Sequence, residues 1–370
     1  IGALPFTEVE ELFIERVHSK LGYKIIHSRG FESHTETNNN WPRYSSVGST
    51  LKSAIETGNV ELITNHIAEK LIIDPGKNKA QGVQIINQAN GQKKVINSKL
   101  IVLCASTINS LRFLLNSEKQ YQENGFEDKS GLLGKKLMDH ISTCRFFSLP
   151  FKSNNSNLGK HSSRQNLSGA GSFFIPFGNN SENYKKVDFI RGYGIWGGID
   201  RFEPPSFLKQ APFSKIGFLI GHGEVLPYKN NKVTLSSKLD KWGLPIPKID
   251  CEWKENEQKM VDHMNSTINK IIQSAGGEML PIHKLIHVPF LKTFFENSLA
   301  TQKQAPPPGY YIHEVGGAAM GESQDTSVVD KWNRLWNCKN VLVVDGACWP
   351  TSAWQSPTLT MMALTRRACL

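Results

Sequence analysis

Two apolar runs that end abruptly and give way to helices constrain this chain more than any other feature. Leu100-Ile-Val-Leu-Cys is continuous in the manner of a strand buried on both faces, and a helix is predicted at once after it, over 109–117. Near the end, a second strand is predicted over 341–344. It runs into Asp345-Gly346, after which a turn rich in Pro, Ser and Thr opens a closing helix. Strand, tight turn and helix is the repeating step of an α/β sheet. It also presents the unpaired N–H groups of a helix start to an anionic or electron-rich ligand, which points to a cofactor enzyme.

The rest of the chain is organised around these two elements. An amphipathic helix is predicted over 7–21, with Val9, Leu12, Phe13, Val17 and Leu21 at helical spacing. A polar loop over 30–50, a short helix over 52–57 and a strand over 59–64 follow. Two β-runs at 82–86 and 94–96 flank Asn90-Gly91, a hairpin-turn signal. From 131 the character changes. Short aromatic-rich β-runs (171–177, 187–199, 216–220, 233–236) precede one long helix with Met260, Met264, Ile268, Ile271 and Ile272 on a face and Gly276-Gly277 at its end. At 370 residues two domains are expected. The predicted fold is α/β, an incomplete Rossmann-like domain over 1–130 and 327–370, interrupted over 131–326 by an α+β domain built on an antiparallel sheet.

Composition narrows the function classes. A hydrophobic content of 39% with 21% charged residues is that of a soluble globular chain, and no apolar run approaches the ~20 residues of a membrane span. The net charge of +10 comes from scattered Lys and Arg, with no dense block or aromatic alternation, so a solvated surface is expected and no nucleic-acid partner. The six cysteines are widely spaced without a C-x-x-C pair, and neither a disulfide framework nor a metal site is expected. His222, His263, His283 and His287 lack metal-ligand spacing and read as surface or core residues. The chain opens on Ile1-Gly2-Ala3, so a natural N-terminus upstream is expected, and compartment is left open.

A G-x-G-x-x-G match at Gly192, Gly194 and Gly197 is a decoy. Trp196 is bulky for a backbone that approaches a pyrophosphate, and Pro204-Pro205 prevents a long helix from following. A glycine-containing strand in the second domain is the expected reading.

Four segments together are similar to the glucose-methanol-choline (GMC) oxidoreductases. They are LCASTINSLRFLLNS at 103–117, GKKLMDH at 134–140, VTL with WGLP at 233–235 and 242–245, and the whole of 313–367, beginning HEVGGAAMG. The resemblance implies a flavoenzyme that binds FAD and oxidises the CH–OH group of a small alcohol, sugar or polyol, with the electron acceptor left open. It also implies a glycine fingerprint upstream of residue 1, and hence weak FAD binding by these 370 residues alone. His313 falls at the family's catalytic histidine, the base that takes the hydroxyl proton. Asp345, Gly346 and Ala347 fall on the segment that seats the diphosphate and ribityl chain. Pro357, Thr358 and Leu359 fall on the helix start that faces the flavin, where a purely structural cap by Ser356 is the compatible alternative.

The sequence departs from the family at three places. Ser356 stands where His or Asn partners the catalytic histidine, with Gln355 able to take over if the turn shifts by one residue. Ser106 replaces a usual glycine and Leu111 a usual proline. These departures leave open a flavin-containing lyase of the hydroxynitrile-lyase kind, or a non-catalytic truncated homologue. His140 is expected to hydrogen-bond structurally at the domain junction, and Trp349 and Trp354 to flank the site.

Overall fold

The computed structural model describes residues 6–28, 46–47, 49–74, 76–120, 122–151, 173–177, 187–201, 214–280 and 305–370. The chain forms two compact units, one from Ile1–Glu61, Ile141–Gly223 and Lys254–Pro306, the other from Leu62–His140, Glu224–Trp253 and Pro307–Leu370. His283, His287 and most of the predicted loop 30–50 lie outside the described residues.

The first unit is built on a six-stranded antiparallel sheet, ordered Ile26–His27, Phe173–Phe177, Tyr193–Ile199, Ser214–Gly223, Ile141–Pro150 and Glu278–Leu280. The decoy glycines lie in or beside Tyr193–Ile199, an ordinary antiparallel strand, as expected. The longest strand besides Ser214–Gly223, Ile141–Pro150, has no clean alternation and is missed by periodicity. The predicted long helix is Glu255–Ser274, and Met260, Met264, Ile268, Ile271 and Ile272 are all fully buried.

The first helix, Glu8–Leu21, starts with a capping box in which Thr7 accepts the Glu10 N–H and Glu10 accepts the Thr7 N–H. It packs Phe13 against Phe147 and Phe173, with ring centroids 5.7 and 5.4 Å apart. Glu10 is the anchor. One carboxylate oxygen accepts the Ile199 N–H and Arg201 Nε, each at 3.0 Å, and the other accepts Arg201 Nη2 at 2.6 Å. Both side chains are buried to within 1%. These contacts tie residues 8–21 to the antiparallel-sheet unit.

The second unit holds the two strands from which the sequence reading began. Ile101–Leu103 and Cys338–Val343 are parallel neighbours in register Val341↔Ile101, Leu342↔Val102 and Val343↔Leu103. They end a five-stranded sheet that continues through Arg334–Leu335, Val329–Asp330 and Met320–Gly321. Burial on both faces is corrected for the first strand. Ile101 and Leu103 are buried, whereas Val102 is 40% exposed and Leu100 beside it 51%. The predicted hairpin forms as Lys79–Asn87 and Lys93–Asn97, joined by His66–Asp74 into a three-stranded antiparallel sheet. The strand predicted over 59–64 does not form, and Val60, Leu62 and Ile63 are exposed.

Lys232–Leu239 and Pro245–Asp250 form a ribbon that belongs to this unit. The reason is local. Val233 and Gly134 exchange backbone hydrogen bonds, each 2.7 Å, and Arg112 donates to Asp240 at 2.7 Å and to the Pro245 carbonyl at 2.8 Å. None of the six cysteines is in a disulfide; Cys348 is buried and Cys104 exposed. No helix among the described residues is long and apolar enough to cross a membrane.

Candidate active site

The site is assembled in the second unit from three turns and the closing helix. The first turn follows Ile101–Leu103 and leads into the helix Thr107–Asn116. The second carries His313, and the third runs from Asp345 to Pro357.

Asp345 marks where the apolar strand stops. Its carboxylate accepts the Ala347 N–H at 3.0 Å, which caps the single 3-10 turn Gly346–Cys348, and it also accepts the Ser110 hydroxyl from the first turn. Burial pushes the carboxyl above its ordinary value, and the Ser110, Ala347 and Ala105 hydrogen bonds oppose that shift. The carboxylate is therefore occupied inside the protein, and what this segment can offer a ligand is mainly backbone.

Gly346 is where the parts meet. A Cβ there would come within 2.5 Å of Thr107 Oγ1, 2.8 Å of the Glu314 carbonyl oxygen and 2.9 Å of Met361 Cε in the closing helix. Only glycine lets the first turn, the histidine loop and the closing helix approach one backbone point this closely. The loop is tied further by Gly316 N–H to Gly346 O and Ala318 N–H to Ala347 O, both 2.8 Å.

His313 is half-buried, and its backbone N–H donates to Asp139 Oδ1 at 2.9 Å. Its ring stands edge-on to Tyr311 and to His140, with centroids 5.0 Å away in each case. Nδ1 is buried and has no hydrogen-bond partner among the described residues. Burial pushes the imidazole below the ordinary histidine value, and the Asp139 charge works against that shift. A neutral imidazole at neutral pH, with an open nitrogen, is the form a general base requires.

The closing helix is Thr358–Cys369, with Pro357 at its N-cap and no side-chain capping bond. The alternative of a structural cap by Ser356 is thus corrected. Ser356 is exposed, as are Thr358 and Leu359, and the first N–H groups of the helix are free of side-chain acceptors. Trp349 and Trp354 are both 7% exposed, and the Trp349 indole N–H is buried without a partner among the described residues.

Sequence reasoning missed Asp139, Thr107 and Ser110 as parts of this constellation, and gave His140 only a structural place. Their contacts to 313, 314 and 345 span 174, 207 and 235 positions, beyond any local periodicity. The signal that could have found Asp139 and His140 was their presence in the GKKLMDH segment. Among the described residues no group of three or more His, Cys, Asp and Glu is arranged to hold a metal ion.

Ser106 carries a measurable cost of its departure from glycine. Its backbone sits at φ 72°, ψ 150°, a region that is nearly glycine-only, and its side chain makes no capping bond. Such a conformation costs ~1–3 kcal/mol in a non-glycine residue. Ser106→Gly is therefore expected to stabilise the protein by about 1 kcal/mol after the added chain entropy of glycine, seen as a rise in melting temperature. A lower melting temperature would show that the serine is not strained.

The chain can now be set beside known proteins. The N-terminal domain signature of the GMC oxidoreductases matches residues 14–142 and the C-terminal signature residues 227–365, together more than two thirds of the chain. The 2-methyl-1,2-propanediol dehydrogenase of Mycolicibacterium austroafricanum is 26% identical over 90% of this chain and 56% of its own length. The fructose dehydrogenase large subunit of Gluconobacter japonicus is 24% identical over 99% of this chain and 66% of its own. The chain thus spans between about half and two thirds of the length of these two relatives. The formate oxidase of Aspergillus oryzae has the same fold, with a TM-score of 0.67 at 13% identity over 99% of this chain and 70% of that one. With both domain signatures in order along it and this fold, the chain belongs to the GMC oxidoreductase family.

Proposed function

We propose that this chain is the working part of an FAD-dependent oxidoreductase that oxidises the CH–OH group of a small alcohol, sugar or polyol. The observation that carries the reading is His313. A half-buried, neutral-favouring imidazole with an unpartnered nitrogen lies one residue before a carbonyl packed against Gly346, which also abuts the closing helix. His313 takes the substrate hydroxyl proton, and Ser356 or Gln355 stands at the chain position of its partner in the family's pattern.

Bound FAD supplies the hydride acceptor. The residues present fit such a group on two counts. The closing helix begins without a side-chain cap, so the N–H groups at Thr358 and Leu359 and the positive end of the helix dipole are available beside Pro357. The backbone of Asp345, Gly346 and Ala347 lies at the end of a buried parallel strand, where α/β folds seat phosphates. The second unit is accordingly the cofactor-binding unit, an incomplete Rossmann-like domain, and the antiparallel-sheet unit is the substrate-binding one.

The substrates for which two relatives are named, 2-methyl-1,2-propanediol and fructose, begin the assay set. The protein is made with whatever sequence its gene encodes on either side, and flavin absorbance is followed anaerobically. Bleaching by an alcohol or sugar of this set is the expected result. Flavin that stays oxidised under every CH–OH donor, while a cyanohydrin is cleaved, would move the assignment to a lyase.

A further inference from the structure

His313 is presented by a loop that would not hold its shape alone. Ile312, immediately before it, has φ 58° and is 71% exposed. A β-branched residue rarely adopts the left-handed region, and a mostly exposed side chain gains little from packing there, so the neighbours must impose the conformation. Two ties do so. On one side Asp139 Oδ1 accepts both the His313 N–H at 2.9 Å and the His140 N–H at 2.7 Å. Asp139 is 3% exposed, and its second oxygen has no partner among the described residues. On the other side Thr107 donates its hydroxyl to the Glu314 carbonyl at 2.5 Å. Beyond these, Val315 and Met138 exchange backbone hydrogen bonds at 2.8 and 2.9 Å, which fixes the far end of the loop.

We infer that Asp139 and Thr107 are positioning residues for His313, clamping residues 312–314 from both sides, with Asp139 also supplying the negative charge beside the imidazole. The inference rests on the reading of His313 as the base. Among the described residues the titratable groups facing His313 are Asp139, His140 and Tyr311, and of these Asp139 carries the charge that favours the imidazolium. A residue that only held the fold together would not shift the titration of His313.

Asp139→Asn keeps an oxygen for the two N–H groups and removes the charge. Asp139→Ala removes both, and Thr107→Val deletes the hydroxyl at nearly constant shape. The imidazole titration of His313 is followed by NMR, assigned with His313→Gln, and the exchange rate of the His313 amide is measured in the same samples. In Asp139→Asn the His313 midpoint is expected to fall, and the acid limb of the pH–rate profile to move down with it. In Thr107→Val and Asp139→Ala kcat is expected to fall ~10–100-fold with little change in KM, as displacement of a reacting group by about 1 Å would produce. Amide exchange at His313 speeds up in both, and Thr107→Ser restores the wild-type values.

An unmoved His313 midpoint in Asp139→Asn, together with wild-type kcat and amide exchange in Thr107→Val, overturns the inference. If instead His313→Gln keeps full turnover, the base assignment fails, while NMR and exchange still report whether the clamp exists.

Discussion

Replacing His313 with glutamine is expected to lower kcat by ~10²–10⁴, the usual contribution of a positioned general base, with the flavin still bound. Glutamine preserves size and polarity but accepts no proton in the working range. In the wild-type protein the acid limb of kcat/KM should lie below 6.5, the ordinary imidazole value, because burial disfavours the imidazolium more than Asp139 favours it. His313 is thereby kept neutral, and competent as a base, into mildly acidic solution. The variant should lose that limb along with its rate. The same depression has a stability consequence of fixed sign. The unfolded chain protonates more readily than the folded one between the lowered value and 6.5. The contribution of this group to stability is therefore complete above 6.5 and is lost as pH falls through the folded value. Full turnover by His313→Gln with its acid limb in place would transfer the proton to another group.

The largest stability effect is expected at Glu10 and Arg201. Arg201→Met leaves the Glu10 carboxylate fully buried without its guanidinium, and such a broken pair typically costs ~3–5 kcal/mol. For a unit of this size that is a fall in melting temperature on the order of 10 °C. The double replacement Glu10→Met with Arg201→Met should recover much of the loss, because an apolar pair of similar volume avoids the desolvation of both charges. A double-mutant cycle by thermal and denaturant unfolding separates the pair from its parts. Additive single effects would mean that the pair is uncoupled and that the Ile199 and Thr7 hydrogen bonds to Glu10 carry the anchoring instead.

Local elements were legible where one physical signal dominates. The helices Glu8–Leu21 and Glu255–Ser274 followed from apolar spacing at 3.6 residues, and the hairpin at Asn90-Gly91 from turn chemistry. The strands Ile101–Leu103 and Cys338–Val343 followed from two short apolar runs that each stop at a turn, whereas their parallel pairing, across more than 230 positions, left no local signal. The segment 59–64 shows the limit of that signal, since β-branched apolar residues form no strand without a neighbour to pair with. The two compact units are held by contacts distant in sequence, such as Glu10 with Arg201 and Gly134 with Val233, which no local pattern announces. The assignment proposed for His313 comes from its place in the family's pattern and its glycine-rich surroundings. Asp139 and Thr107 were not legible, because a carboxylate and a hydroxyl that bind backbone atoms leave no spacing rule behind.

The ties that build the histidine loop and its neighbouring turn join residues 174, 207 and 235 positions apart. Contacts of that range close only after the intervening chain has been made and folded, and they slow the search for the native state. During synthesis the strand Ile101–Leu103 and the helix Thr107–Asn116 must therefore wait, partly uncovered, for residues 313–345 to leave the ribosome. Nascent chains that stall before that point hold Asp139 and Thr107 without the loop they grip.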